Sequence, residues 1–500
     1  MMVNENLYKD KNLKLVKILF YIFPITFIIG NLALSLNLLL FLIFSLFLIK
    51  RKKLKLRFKK LYWILVVFFL YLFLLTVVQF EGVFEAFNSS LEGYGYNKDK
   101  LERLPFKDHP IFKSFLLFRF LILVFVIDIL FFNKILNLKK FFFISLICTS
   151  FVSVDIIIQN TIGTDLLGLK NQGGRNSGPF GDELIAGGYL LKFSFLSFFL
   201  IYEIFKNKKF GKLMPILFIS INALAIGLAG NRMPFFLFLF GCSFIILFLK
   251  RFRAITALGL IIFIPFFYIS VKNNDSTKHQ YLKFFQEINN FTIKAGNKIV
   301  KINNSLSGEK FKIKILDKVG IGSSEFVENI LKKGGGKLAS GHAGIWRTSI
   351  QMWKEQPIFG YGLKSFRYKC RDVVSKAGNS NIITTLKTTP HMHYFNCSNH
   401  SHNYYLEFLS ETGLIGTVLI VLFFILILKD SFYYIKKYNN YFSSELILLM
   451  PIILTVFLEI WPLRSTGSFF STWNATGFWI FVALLLASKK DEKINFYSKY

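Results

Sequence analysis

The feature that most constrains this chain is a series of apolar runs, each long enough to cross a lipid bilayer. Crossing the hydrocarbon core takes about 20 residues of α-helix. Because helices satisfy all their backbone hydrogen bonds internally, the pattern predicts an all-α polytopic membrane protein with about twelve transmembrane helices. These spans are expected near 14–30, 31–49, 61–79, 112–132, 141–160, 184–205, 213–230, 234–249, 254–271, 404–428, 444–462 and 472–488.

The basic residues predict how these spans are oriented. With the N-terminus in the cytoplasm, every inward segment carries clustered lysine or arginine, as the positive-inside rule requires. The cations that give the net charge of +32 lie in short clusters between apolar runs. This distribution indicates the orientation of the spans and does not indicate nucleic-acid binding. The inward segments are 50–60, 133–140, 206–212, 250–253, the region around Lys436 and Lys437, and the tail from 489.

This topology divides the chain into four parts. Residues 1–271 hold nine spans, 272–402 form one large periplasmic loop domain with amphipathic helices, 403–488 hold three spans, and 489–500 form a cytoplasmic tail. The loop domain is basic, which agrees with the topology because long translocated segments are largely exempt from the charge rule.

The four cysteines fall into two pairs. Cys148 and Cys242 lie inside predicted spans, where a cysteine is a small apolar side chain. Cys370 and Cys397 both lie in the long outward loop, where an oxidising periplasm allows them to pair. We predict a disulfide between these two; free thiols are the alternative if the topology is inverted.

All seven histidines lie outside the predicted spans and, on this topology, on the outer side. This shared location indicates one functional surface. They are His109, His279, His342, His391, His393, His400 and His402.

The stretch CSNHSHNYYLEFLSETG, residues 397–413, places two histidines, an asparagine and two glutamates at the start of a strongly hydrophobic run. If a helix starts near Ser401, then Asn403, Glu407 and Glu411 share one face, with His400 and His402 at its rim. An imidazole there can act as a general base or donate a hydrogen bond to a phosphate or a sugar hydroxyl. The alternative is that histidine and asparagine simply cap the helix.

Two outward arginines are candidates for binding a lipid-linked phosphate. Arg232 lies in the tight turn GNRMP, 230–234, and Arg175 lies in GGRNSGPFGDELIAGGYL, 173–190. Arginine matches phosphate oxygens in a bidentate geometry. Snorkelling of Arg232 and a simple glycine-rich turn around Arg175 are the alternatives.

The segment SGHAGIWRTSIQMWKEQPIFGYGLKSFRYKC, 340–370, predicts an amphipathic helix that ends at Pro357 and a GYG turn. Such a helix is suited to lie along the membrane surface and cover a cavity. The GYG turn alone does not predict a nucleotide site.

These motifs together resemble the O-antigen ligase and O-antigen polymerase superfamily. The resemblance rests on the order of spans, the outward arginine turn, the pattern W-x(n)-P-I-F-G-x-G-x-x-x-F and the pattern H-x-H-N-x-x-L-E-x-L-x-E-x-G-x-x-G, and it is closest over 340–416. It implies a membrane glycosyltransferase of the C type in the bacterial inner membrane. Such an enzyme faces the periplasm and uses an undecaprenyl-diphosphate-linked glycan as donor, with neither a nucleotide sugar nor a metal ion.

The resemblance also implies roles for individual residues. His402 matches the essential histidine of the family, and Arg232 matches the arginine that contacts the donor diphosphate. Many members carry an arginine before the tryptophan of the loop helix, where this chain has His342, followed by Arg347 just after Trp346. The second loop cation is therefore Arg347 or a residue such as Arg367.

The chemistry of the reaction gives the same assignment. Displacing a lipid diphosphate needs a positioned acceptor hydroxyl on one side and stabilised diphosphate charge on the other. We assign Arg232, Arg175 and Arg347 to the diphosphate and His402 to the hydroxyl, as base or orienter, with inversion at the anomeric carbon. His400, Asn403, Glu411 and His342 are expected to support the site, and Glu411 to pair within the helix bundle.

Several alternatives stay open at this point. The acceptor is lipid A–core in a ligase and a second lipid-linked glycan in a polymerase, and the motifs fit both. A flippase or exporter of lipid-linked sugars would share the span count but should carry charges along a central cavity. Zinc bound by HMH at 391–393, Cys397 and HSH at 400–402 is a weaker hypothesis, since the spacing is not typical and Cys397 is expected to be oxidised.

Overall fold

The computed structural model describes residues 11–79, 110–172, 175–274, 281, 341–378, 396–438 and 444–488. Of the histidines predicted to share a surface, His109, His279, His391 and His393 lie outside these ranges. Within them all regular structure is helical, apart from the isolated β-bridges Thr164–Lys170 and Gln172–Arg175.

The described part of the chain holds sixteen α-helices and one short 3₁₀ helix, Gly178–Phe180. The α-helices are α1 Lys11–Tyr21, α2 Phe23–Ile29, α3 Asn31–Arg51, α4 Leu61–Val78, α5 Pro110–Leu116, α6 Phe118–Phe132, α7 Leu138–Ile162, α8 Ala186–Phe205, α9 Leu213–Leu228, α10 Arg232–Phe248, α11 Lys250–Asn273, α12 Gly341–Glu355, α13 Phe366–Gly378, α14 Tyr404–Tyr438, α15 Ser444–Glu459 and α16 Thr472–Ser488.

Seven helical segments are long and apolar enough to cross a membrane: α3, α4, α5 with α6, α7, α8, α11 and the part of α14 from Tyr404 to Ile435. The pair α1 and α2, bent by 54°, makes an eighth if it is one broken span. Four further apolar helices, α9, α10, α15 and α16, are shorter. The structure therefore confirms the all-helical fold for the residues that it describes, with several candidate membrane spans, while the count of twelve stays a prediction.

Two helices, α8 and α16, form the centre of the bundle. Nearly every side chain of α16 from Trp473 to Leu486 is buried, and α8 is buried from Tyr189 to Tyr202. A helix that is apolar on all sides is stable only when neighbours surround it. Aromatic rings fill the contact between these two helices, as where Phe193 and Phe481 lie 5.6 Å apart.

The predicted inward segments meet at one end of this bundle. Asn133 exchanges hydrogen bonds with the backbone of Lys55, at 3.0 and 3.3 Å. The backbone N–H of Asn137 donates to the Tyr21 hydroxyl at 3.0 Å, and this end carries the basic clusters. We call it the basic end.

Segments predicted to face outward meet at the opposite end. The Asn176 side chain donates to the carbonyl of Leu228 at 2.7 Å, and the Asn231 side chain donates to the carbonyl of Leu184 at 2.6 Å. Helices α8, α10, α14 and α16 all begin at this end. The candidate site is built here, among the first turns of these helices.

Candidate active site

Three histidines converge at the outward end of the bundle. The ring of His402 lies 4.0 Å from that of His400 and 4.6 Å from that of His342, measured between centroids. His342 comes from the first turn of α12, and the other two come from the segment that precedes α14. The structure thus brings together His342 and His402, which lie 60 positions apart in the sequence.

The backbone of His402 is held in an uncommon conformation. Its φ is +54°, in the left-handed region that only a few per cent of residues other than glycine adopt, with asparagine, aspartate and histidine the most frequent among them. The carbonyl of His402 accepts a hydrogen bond from Thr466 N at 3.0 Å, and a hydrogen bond links its Nε2 to Ser398 Oγ at 3.2 Å. These contacts fix the imidazole at the mouth of the bundle.

Asn403 is a helix cap. Its Oδ1 accepts from the backbone N–H groups of Tyr405 and Leu406 at 3.0 and 3.1 Å, which satisfies two donors that a helix start leaves unpaired. Its Nδ2 donates to the carbonyl of Pro462 at 2.7 Å. The capping alternative is thus right for Asn403, and α14 begins at Tyr404, three residues later than expected.

Burial changes the acidity of the histidines. Burial, together with the neighbouring His342, lowers the pKa of His402 to about 4. Burial and the charges of His402, Lys364 and Arg367 lower the pKa of His400 to about 3. Burial also lowers the pKa of His342. At neutral pH the cluster is uncharged, so His402 is able to accept a hydrogen bond from a hydroxyl group.

Glu407 and Glu411 lie one turn apart on α14 and point into a buried network. Glu407 accepts hydrogen bonds from Ser468 Oγ and from Phe469 N, at 2.5 and 2.6 Å. Glu411 accepts from the backbone N–H of Lys364, in the outward loop, at 2.8 Å.

Lys364 is the cation of this network. Its side chain is buried, Nζ donates to Ser468 Oγ at 2.7 Å, and its charge acts on both glutamates. Burial lowers the pKa of Lys364, although the two carboxylates oppose this. The sequence does not single out Lys364, because a single lysine after a GYG turn looks like any solvated loop residue.

A second buried ion cluster lies beside the first. Glu459, at the end of α15, forms ion pairs with two cations. One is Lys192 from α8, and the other is Arg464, whose Nη1 lies 2.5 Å from the Glu459 carboxylate. The guanidinium of Arg464 lies over the ring of Tyr404, 5.8 Å from its centroid. None of these three residues was predicted as a site residue, although a lysine and a glutamate inside apolar runs are a recognised functional signal.

The backbone of residues 357–362 is hydrogen-bonded to α14 at a kink in that helix. At Gly413 the helix has φ 62° and ψ −166°, which interrupts its hydrogen-bond ladder. Four backbone bonds between the two segments replace the lost ones: Tyr361 N to Ser410 O, Gly362 N to Glu411 O, Leu414 N to Pro357 O and Ile415 N to Ile358 O, at 2.8–3.2 Å. A side chain at Gly360 would lie 2.5 Å from Gly413 N, so only glycine permits this approach.

Arg232 and Arg175 lie at the same end of the bundle as the histidines. Arg232 is the first residue of α10. Further along this helix, the Phe240 ring lies 4.6 Å from the Trp461 ring. Trp461 begins the loop whose Thr466 N–H donates to the carbonyl of His402. Arg175 is exposed, and its neighbour Asn176 binds the end of α9. The two candidate phosphate-binding segments are therefore adjacent.

The charge of Arg367 acts on His400 in the histidine cluster. Arg367 lies in the first turn of α13 and contributes to the electrostatics of His400, Lys364 and both glutamates. Arg347 lies on α12, one residue after Trp346, and is half-buried. The sequence left these two arginines as alternatives, and the structure brings Arg367 to the cluster.

Four nitrogen atoms around this cluster are buried without a hydrogen-bond partner among the described residues. A buried polar atom left unpaired costs about 1–3 kcal/mol, so a group of them indicates a surface that binds a polar ligand. They are His342 Nδ1, Trp346 Nε1, Arg367 Nε and His400 Nε2.

The predicted disulfide is present. Cys370 in α13 and Cys397 are bonded, with 5.7 Å between their Cα atoms. Hydrogen bonds between Thr348 and the backbone of Asn396, at 2.9 and 3.2 Å, hold α12 against the same segment. The pairing ties the histidine segment to α13.

Within the described residues, no group of three or more His, Cys, Asp or Glu side chains is placed to hold a metal ion. His391 and His393 of the zinc hypothesis lie outside those residues, and the bonded Cys397 is not a free thiolate ligand.

The fold and the site define an integral membrane protein with a polar, histidine-containing site at one end of its helical bundle. Residues 216–421 match the family model described as O-antigen ligase, and this match confirms the resemblance to the O-antigen ligase and polymerase superfamily. That family consists of membrane glycosyltransferase-like enzymes. No curated protein matches the chain.

Proposed function

We propose that the protein is an O-antigen ligase that transfers a glycan from undecaprenyl diphosphate to lipid A–core on the periplasmic side of the bacterial inner membrane. The observation that carries this proposal is the convergence of three neutral histidines beside Arg367 at one end of an apolar bundle, inside the region that matches the family. A lipid-linked donor and a sugar acceptor meet at that depth.

In this mechanism His402 orients the acceptor hydroxyl. A neutral imidazole accepts the hydroxyl hydrogen bond while the oxygen attacks the anomeric carbon and the bond from that carbon to the diphosphate breaks. With a pKa of about 4, His402 is a weak base in the resting protein. A phosphate oxygen, with a second pKa of about 6, is the better final proton acceptor, so the proton ends on the departing diphosphate.

The arginines are assigned to the donor. Arg232 and Arg175 lie on adjacent segments at the outward end and can neutralise the diphosphate as it leaves. Arg367 is supported as the second loop cation by its charge on His400 and its unpaired buried Nε, with Arg347 as the alternative. Two arginines on one diphosphate can supply the charge that a metal ion supplies elsewhere.

Deletion of the gene followed by gel analysis of lipopolysaccharide tests the function. For a ligase we expect core without O-antigen while lipid-linked polymer accumulates, and Arg232→Ala should give the same pattern at normal protein levels. Core that bears a single repeat would show a polymerase instead. Lipid-linked glycan confined to the cytoplasmic leaflet would show an exporter, and unchanged lipopolysaccharide would contradict all three.

A matched pair of variants tests the second cation. Arg367→Gln should raise the KM for the lipid-linked donor about 10- to 100-fold, since a hydrogen bond to a charged group is worth roughly 1.5–3 kcal/mol. Arg347→Gln removes the same charge from the neighbouring helix and should change the KM less than about threefold. Transfer by purified protein in liposomes is the measurement, and the reverse order of effects would assign the role to Arg347.

A further inference from the structure

A cavity of about 570 Å³ lies at the basic end of the bundle, far from the histidines. It lies between α1, α7 and α8. Tyr21, Lys139 and Lys140 line its polar edge, and Phe143, Ile144 and Ile204 line its apolar wall. No residue that lines it in the described part of the chain is acidic.

The polar edge concentrates positive charge. Lys139 and Lys140 are exposed in the first turn of α7, and the Asn137 side chain accepts from both of their backbone N–H groups, at 2.8 and 3.3 Å. Lys17 of α1 lies close enough to Lys140 to be repelled by it. Like charges held this close favour an anion between them.

The apolar wall continues directly from the lysines. Phe143 and Ile144 follow Lys140 by three and four residues, so they lie on the same face of α7. Phe143 and Ile204 are 49% and 42% exposed, which for membrane helices means exposure to lipid. The cavity therefore offers cations at headgroup depth and an apolar surface immediately below them.

We propose that this cavity binds one anionic diacyl phospholipid of the cytoplasmic leaflet. Its phosphate lies between the Lys139 and Lys140 ammonium groups, and its acyl chains lie along Phe143 and Ile204. Basic pockets between transmembrane helices on the cytoplasmic side are suited to anionic headgroups. The proposal does not depend on the transferase function, because the site lies at the other end of the bundle.

Native mass spectrometry of the purified full-length protein tests this. Wild-type protein should retain phosphatidylglycerol in preference to phosphatidylcholine. The double variant Lys139→Gln, Lys140→Gln should bind phosphatidylglycerol roughly 10- to 30-fold less tightly, as expected for the loss of two lysines at a lipid surface. Equal retention of the two lipids by wild-type protein would overturn the proposal.

Two further variants separate this site from general attraction to lipid. Lys52→Gln, Lys53→Gln removes two adjacent lysines elsewhere at the basic end and should change phosphatidylglycerol binding less than twofold. Ile204→Trp fills the apolar wall at a lipid-facing position with both lysines intact, and it should also release the lipid. An equal loss in the Lys52 and Lys53 variant, or wild-type retention by Ile204→Trp, would contradict the assigned site.

Discussion

Replacing His402 by asparagine is expected to lower glycan transfer by about 10²–10⁴-fold, the range typical of a side chain that positions or moves a proton in the transition state. Asparagine is the informative replacement because it tolerates the positive φ of this position better than alanine does. The backbone contact to Thr466 is then retained, and the loss reports on the imidazole. The measurement is transfer from lipid-linked donor by purified protein in liposomes.

Lys134→Asn is the matched control, since Lys134 also has a positive φ but lies at the basic end. Its activity should stay within about twofold of wild type, because surface changes away from a site have small effects.

A pH series adds a second criterion for the role of His402. With a pKa of about 4, His402 remains neutral between pH 7 and 5, so activity should persist there. A fall in transfer activity centred near pH 6.5 would indicate an exposed histidine with an ordinary pKa, and it would contradict a buried, neutral His402.

Lys364→Met is expected to be the most destabilising single substitution at the site, by about 3–5 kcal/mol. It leaves Glu407 and Glu411 buried without Lys364, the cation with the larger effect on both, although Arg367 remains, and it removes the hydrogen bond to Ser468. The melting temperature in detergent should fall clearly below that of wild type. Lys369→Met is the control: Lys369 pairs with Asp372 at 2.9 Å in a partly exposed i, i+3 bridge, for which about 0–1 kcal/mol is expected.

Adding Glu407→Gln to Lys364→Met separates charge from packing. If the cost of Lys364→Met is an uncompensated carboxylate, the double variant should recover part of the lost melting temperature, because the two sites interact directly. Additive losses would show that Lys364 contributes only packing and hydrogen bonding.

Much of the fold was predictable, because lipid imposes a length and a polarity on every helix that crosses it. Each predicted span falls on a helix or a helix pair, and the Cys370–Cys397 disulfide followed from placing both cysteines in one oxidising loop. The break between α1 and α2 and the kink at Gly413 were not predicted, because both depend on neighbours that supply backbone hydrogen bonds.

The site was predictable in part. The pattern of polar residues before an apolar run identified His400, His402 and Asn403, and the outward location of all histidines brought in His342. Spacing could not show that Asn403 caps α14, that Arg367 reaches the cluster, or that Lys364 lies between two glutamates. The positions of Arg367 and Lys364 depend on residues 357–364 crossing α14 at its kink, a long-range contact that leaves little trace in the local sequence.

The bonds between residues 357–362 and the α14 kink also bear on how the protein can be divided. The outward loop and the membrane helix each complete the other's backbone: Gly360 and Gly413 allow the approach, and four N–H···O=C bonds cross the junction. A soluble fragment cut before Tyr404 would lose all four of these bonds, and water would replace the helix as hydrogen-bond partner without fixing the conformation of residues 357–362. Antibodies, inhibitors or binding assays aimed at the loop therefore need the intact, membrane-embedded protein as their antigen or target.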